Sequence, residues 1–239
     1  MLKTQLIPYN DQGTSLEAYC VHDDIEKSKK PIVLIFHDWS GRNSFAEQKA
    51  HQIAKLGLVG LAVDMYGQGI TGQSKEEKMA LMQPLMQNRL DLQRRTLAAL
   101  QMAKQLKIGD VTKVGAIGFC FGGLCALDLA RTGEKLSGVV SFHGLLNAPE
   151  FKNSHAIHAK ILALHGYDDP MVPPQQLNAF ANEMNERKAD WQLHIYGNTV
   201  HAFTNPDAND PGFGTVYSKC SDERSWIAMS DFFEEIFCR

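Results

Sequence analysis

The stretch VGAIGFCFGG, residues 114–123, runs an apolar segment into a single cysteine with Gly118 and Gly122 two positions away on either side. A residue placed on a sharp strand-to-helix turn crowds its second neighbours, and glycine-x-nucleophile-x-glycine is the pattern such an elbow requires. KVGAI before Cys120 reads as a strand, and LCALDLA after it reads as a helix. Cys120 would then stand at a helix N-terminus, where the dipole and the first-turn amides favour a thiolate. A phosphate-binding loop is a rival use of glycines, but G-x-x-x-x-G-K-[ST] is absent, and the first βα unit carries no G-x-G-x-x-G.

Similar short apolar runs flank this one on both sides: PIVLIFH (31–37), LVGLAVD (58–64), SGVVSFH (137–143), KILALHG (160–166) and WQLHIYG (191–197). Continuous apolar runs of this length suit parallel strands covered on both faces. Two more, at 4–9 and 16–21, are joined by the turn-like NDQG and read as an opening hairpin. Segments of helical period lie between the runs. Ser44 with Glu47 and Ser74 with Glu77 each fit a capping box, and the first of these helices should end at Gly57. Pro84 should kink or break the second, after which Met86, Leu90, Leu97 and Leu100 mark one apolar stripe. Trp226, Met229, Phe233 and Ile236 mark a closing helix. Strands alternating with helices imply an α/β domain with a mostly parallel central sheet and helices on both faces.

The chain has 239 residues, enough to bury roughly three quarters of its unfolded surface in one core. No repeat, low-complexity tract or Pro/Gly/Ser linker divides it, so a single domain over 1–239 is expected. A formal charge of −3 offers no basic excess for nucleic acid or anionic lipid. No apolar run is long enough to span a membrane, and the N-terminus lacks a signal-like core, which gives a cytoplasmic expectation. A monomer is the expected state. The charged EKSKK at 26–30 reads as a solvated turn. Five cysteines without a C-x-x-C pair suit reduced thiols and speak against a redox enzyme. Among the nine histidines no H-E-x-x-H or Cys/His grid surrounds His155 and His158, so no metal and no organic cofactor is expected.

A nucleophile at an elbow needs a base and an orienting acid, which follow later in the chain as acid, then histidine. LALHGYDDPMVP places Asp168 and Asp169 just past one strand, and LHIYGNTVHAF places His201 in the loop after the next. Catalytic groups gather at those strand ends in open α/β sheets. Asp169, which begins D-P-x-V-P, is preferred as the acid over Asp168. His143 and His165 also follow or end strands, but each precedes a glycine and is assigned to backbone groups in a turn.

GFCFGG, HGYDDPMVP, HAF and the DMYG of residues 64–67 together resemble the dienelactone hydrolase family, over nearly the whole chain. The resemblance implies the α/β-hydrolase fold, with Cys120 as nucleophile, Asp169 as orienting acid and His201 as base. It implies backbone amides of Trp39 and Phe121 as an oxyanion hole, and Asp38, where the family has a glutamate, as a thiol-activating group. Tyr66 and Phe203 become pocket candidates. Arg89 matches a family arginine or is a plain surface residue, and Asn205 stands where a substrate-clamping arginine is expected. An amide cannot replace a guanidinium as a bidentate cationic clamp. The implied substrate is therefore a small-molecule ester or lactone, with dienelactone itself less favoured than another, cleaved through an acyl-cysteine. A non-catalytic binding protein on the same fold is the competing reading.

Overall fold

NDQG closes a hairpin because Gln12 and Gly13 both take positive φ, 48° and 89°, and successive positive φ values give the turn twist that suits paired strands. The Asn10 carboxamide accepts the Gly13 amide at 2.9 Å. The turn joins β1 (Leu2–Asp11) to β2 (Thr14–Asp23) in antiparallel register. This geometry comes from a computed structural model that describes residues 1–24, 29–151 and 155–238. Of the charged stretch at 26–30, residues 26–28 lie outside the described residues. The chain divides into two compact units, Met1–Ile117 and Gly118–Arg239.

In the first unit β3 (Lys30–Phe36) and β4 (Val59–Val63) pair in parallel, giving the strand order β1-β2-β4-β3. Helix α1 (Ser44–Lys55) packs on β2, β3 and β4. A Cβ on Gly60 would meet the Ala50 carbonyl oxygen at 2.5 Å, so only glycine lets the helix lie this close to the strand. The helix is capped by Asn43 rather than Ser44, because Asn43 is still extended and its side chain accepts the Phe45 and Ala46 amides. Gly57 ends it with φ 81°.

Helix α2 (Lys75–Gln87) carries the expected capping box, Ser74 with Glu77, and contains Pro84. The break comes at Asn88, whose side chain caps α3 (Arg89–Ala103) by accepting the Asp91 amide at 3.2 Å. The helical register restarts there, so the stripe expected from Met86 does not carry across. Leu90 is 61% exposed, and the buried face runs through Leu92, Thr96, Ala99 and Ala103 together with Leu100, the one member of the expected stripe in α3 that is buried. Asp11, at the end of β1, ties the hairpin to α3 through Arg94 and Arg95 at 2.8 and 2.7 Å. Its burial would raise its pKa, but those guanidinium hydrogen bonds hold it below the usual carboxylate range.

Strand β5 (Gly109–Phe119) carries the chain into the second unit. Helix α4 (Phe121–Arg131), β6 (Gly138–Phe142), β7 (Lys160–Gly166), α5 (Pro174–Glu186) and β8 (Trp191–Tyr196) follow. A short β9–β10 pair (Asn209–Asp210, Thr215–Val216) precedes α6 (Lys219–Cys238). Strands β6, β7 and β8 pair in parallel in that order.

Side chains alternate along β6, and the two faces take different helices. Gly138 lies against Phe232 and Ile236 of α6, and Phe142 stacks on Trp226 of α6 at 6.4 Å. Ser141, of opposite parity, sits against Gly123 of α4. Met229 and Phe233 of the expected α6 stripe are buried.

Arg131 closes α4 with no exposed side-chain surface. It bonds Asp128 at 3.1 Å, Glu183 at 2.7 Å and the Leu146 carbonyl at 2.8 Å. Removing one member of such a buried network strands the rest, so Arg131→Ala should lower the unfolding free energy by about 3–5 kcal/mol. Urea denaturation measures this, and a loss under about 1 kcal/mol would mean the carboxylates find other partners.

Candidate active site

The junction of β5 and α4 holds Cys120 at φ 55°, ψ −117°, a conformation that strains any residue with a Cβ. A Cβ at Gly118 would lie 1.9 Å from the Gly122 carbonyl oxygen, so the turn cannot form with a side chain at 118. Gly123 is equally confined, 2.5 Å from the Ser141 hydroxyl by the same construction. The Cys120 amide is shared between the Phe142 carbonyl at 3.0 Å and Nδ1 of His143 at 3.2 Å. The Cys120 side chain is half-buried, whereas Cys125 is fully buried on α4. Phe121 is the first residue of α4, where the helix dipole favours negative charge.

Past β7 the chain folds back so that the Asp169 amide donates to the Gly166 carbonyl at 3.2 Å. Asp169 is buried and Asp168 exposed. One Asp169 oxygen accepts the Met171 amide at 2.8 Å, which orients the other toward Nδ1 of His201 at 2.7 Å. Past β8, His201 is held on both sides of its backbone by the β9–β10 segment. Its amide donates to the Gly214 carbonyl at 3.0 Å, and its carbonyl accepts the Val216 amide at 3.1 Å. Gly214 has φ 73°, and a Cβ there would come within 2.3 Å of Pro170, the residue after Asp169. The acid turn and the histidine turn therefore touch through a position where only glycine fits.

Burial by itself would lower the proton affinity of His201. The negative charge of an ionised Cys120 and the hydrogen bond to Asp169 outweigh it and push the pKa up to about 10. Nε2 completes no hydrogen bond among the described residues, although the sulfur is near enough to act on the ring. The group can thus hold a proton beside a thiolate and deliver it to a third atom. This chemistry suits attack by sulfur followed by protonation of a leaving group.

His143 behaves as the sequence suggests in accepting a backbone amide, and its Nε2 also reaches the Thr204 hydroxyl at 2.8 Å. His165 does not. Both its ring nitrogens are buried without a hydrogen-bond partner among the described residues, and burial lowers its pKa. Phe203 is fully buried, edge-on to His143 at 5.0 Å and to Tyr196 at 5.6 Å. The Asn205 carboxamide accepts the Asp207 amide at 3.0 Å, which commits it to its own turn.

The remaining candidates belong to the first unit. The Asp38 side chain accepts the Ser40 amide at 2.8 Å, and its carbonyl accepts from Nδ1 of His37 at 2.6 Å. The Trp39 carbonyl accepts the Tyr66 hydroxyl at 3.0 Å. Arg89, at the start of α3, is buried rather than a plain surface residue. Among the described residues no cluster of His, Cys, Asp or Glu could hold a metal ion, and no helix is long and apolar enough to cross a membrane. Thr204 and Gly214 carry no signal in the sequence that marks them as parts of this site.

Asp169→Asn removes the negative charge that favours imidazolium and leaves one acceptor oxygen where there were two, so the His201 titration should move down from about 10. NMR of the ring carbons follows it, and an unmoved titration would place the source of the shift elsewhere.

The dienelactone hydrolase family profile matches residues 16–237. The crystal structure of a dienelactone hydrolase-like promiscuous phosphotriesterase from metagenomic libraries is 34% identical, with a TM-score of 0.94 and 98% of both chains covered. An uncharacterized protein of Caenorhabditis elegans is 36% identical over 149 residues, 59% of this chain and 90% of that one. Dienelactone hydrolase from Anabaena variabilis shares the fold at 21% identity, with a TM-score of 0.69 and 98% of both chains covered. With a strand-helix alternation of parallel type, an elbow cysteine and a buried Asp-His pair already in place, the match over residues 16–237 means that this α/β-hydrolase chain belongs to the dienelactone hydrolase family.

Proposed function

We propose that the protein hydrolyses a small-molecule ester or lactone through a covalent acyl-cysteine. The observation that carries this reading is the 2.7 Å bond between Asp169 and Nδ1 of His201, which leaves Nε2 for the elbow and its half-buried thiol. In this reaction the Cys120 thiolate attacks the carbonyl carbon, forming a C–S bond while the carbonyl π electrons move to oxygen. The Phe121 amide at the N-terminus of α4 stabilises that oxyanion. Collapse breaks the C–O bond, and His201 imidazolium gives its proton to the departing alkoxide. The now neutral His201 takes a proton from water as the water attacks the thioester, and the thiolate leaves with the carboxylic acid released. Asp169 fixes the histidine tautomer and balances its charge throughout.

A neutral acyl group fits best. Asn205 is committed to a turn and offers no cation for a substrate carboxylate. A second reading, cleavage of neutral phosphotriesters by the same thiolate, is supported by the 34% identity to the metagenomic phosphotriesterase.

Steady-state kinetics on p-nitrophenyl acetate, a simple lactone and a p-nitrophenyl phosphotriester test both readings. Cys120→Ala should lower kcat by about 10³-fold or more on every substrate the wild type accepts. Undiminished turnover in this variant would refute the cysteine chemistry. Turnover of the phosphotriester but neither carboxylic ester would favour the second reading.

A further inference from the structure

Strand β6 ends at Phe142, and His143 leaves it with φ 39°, a conformation costly for a residue with a branched ring. Its amide donates to the Leu164 carbonyl at 2.8 Å, which keeps the backbone in line with β7 through the turn. Such strain persists only where the surroundings impose it, and here the imidazole connects three parts of the site. Nδ1 accepts the Cys120 amide at 3.2 Å, so that nitrogen carries no proton. The proton is therefore on Nε2, which donates to the Thr204 hydroxyl at 2.8 Å. Thr204 lies three residues past His201. The ring also packs edge-on against the His201 ring, with centroids 5.1 Å apart and planes at 66°.

We infer that His143 is a positioning residue that locks the cysteine elbow to the histidine turn, so that the Cys120 sulfur and His201 keep a reactive separation. The elbow is reached from β5 and the histidine turn from β8, and the two are far apart in sequence. A single ring that bonds the Cys120 backbone on one side and Thr204 on the other fixes their spacing. Its contact with the His201 ring limits rotation about the bond to Asp169. This role rests on the reading of Cys120 as nucleophile and His201 as its acid-base partner.

Three variants of the full chain test it with p-nitrophenyl acetate, with kcat and KM measured separately and folding checked by circular dichroism. His143→Phe keeps an aromatic ring and loses both hydrogen bonds. His143→Gln retains a donor near the position of Nε2, and Thr204→Val removes the acceptor at constant shape. Because small misplacements of reacting groups cost large factors in rate, His143→Phe should lower kcat about 30-fold with KM changed less than about two-fold. Thr204→Val should lose about five-fold, and His143→Gln should recover most of the loss.

A kcat for His143→Phe within about two-fold of wild type would overturn the proposal, as would a glutamine variant no better than phenylalanine. If His143→Phe does not fold, Thr204→Val decides alone, a lower kcat supporting the role and an unchanged one refuting it. Cys120→Ala run in parallel separates the two levels. Turnover in that variant overturns the cysteine reading and this role together, whereas an inactive Cys120→Ala beside undiminished His143 variants overturns only the role of His143.

Discussion

The rest of the site depends on one backbone constraint, the positive φ of Cys120 between β5 and α4. A chain that turns from strand to helix within one residue brings the positions on either side into contact. The 1.9 Å between a would-be Cβ at 118 and the Gly122 carbonyl measures how little room is left. The strain at Cys120 lifts the sulfur out of the core at the start of a helix, whereas Cys125, one turn further, has ordinary helical geometry and is buried. The same residue type thus presents a half-buried thiol in one place and a small core residue in the other, and the difference is conformational.

A second constraint concerns charge. His201 and Asp169 are both buried, and an isolated imidazolium in such a place would shed its proton. Two anions oppose that effect and push the pKa of His201 up, the Cys120 sulfur when ionised and the Asp169 carboxylate through Nδ1. Backbone geometry decides which of the two aspartates meets His201. Asp169 has the Gly166 carbonyl and the Met171 amide to hold it inward, while Asp168 is turned to solvent. Gly214 against Pro170 then sets the two turns at contact distance.

The strands and the elbow were legible in the sequence because their signals are local. Apolar runs of five to seven residues recur, and glycine at both second neighbours of a cysteine has a steric meaning that holds without knowledge of the remaining fold. D-P-x-V-P singled out Asp169, and it is Asp169 rather than the exposed Asp168 that bonds His201. What escaped depends on contacts between distant segments or on exact helix starts. Asn43 caps α1 because the backbone is still extended there, which Ser44 and Glu47 together do not reveal. Leu90 faces solvent because Asn88 resets the helical phase. His143 and His165 look alike in sequence, each ahead of a glycine near a strand end. Yet one bonds Cys120 and Thr204 while the other has no partner among the described residues. No periodicity encodes that difference, since it is set by which loop lies opposite each ring.

The claim at the centre of this account is that the Cys120 sulfur itself bonds to the acyl group. Rapid-quench mixing with p-nitrophenyl acetate, followed by acid trapping and peptide mass mapping, observes that bond directly. The account predicts an added acetyl mass on the peptide containing Cys120, formed at the rate of the nitrophenol burst and removed at the rate of steady turnover. Nitrophenol release with no acyl mass on that peptide at any time point, or with the mass on the exposed Cys220 instead, would contradict it.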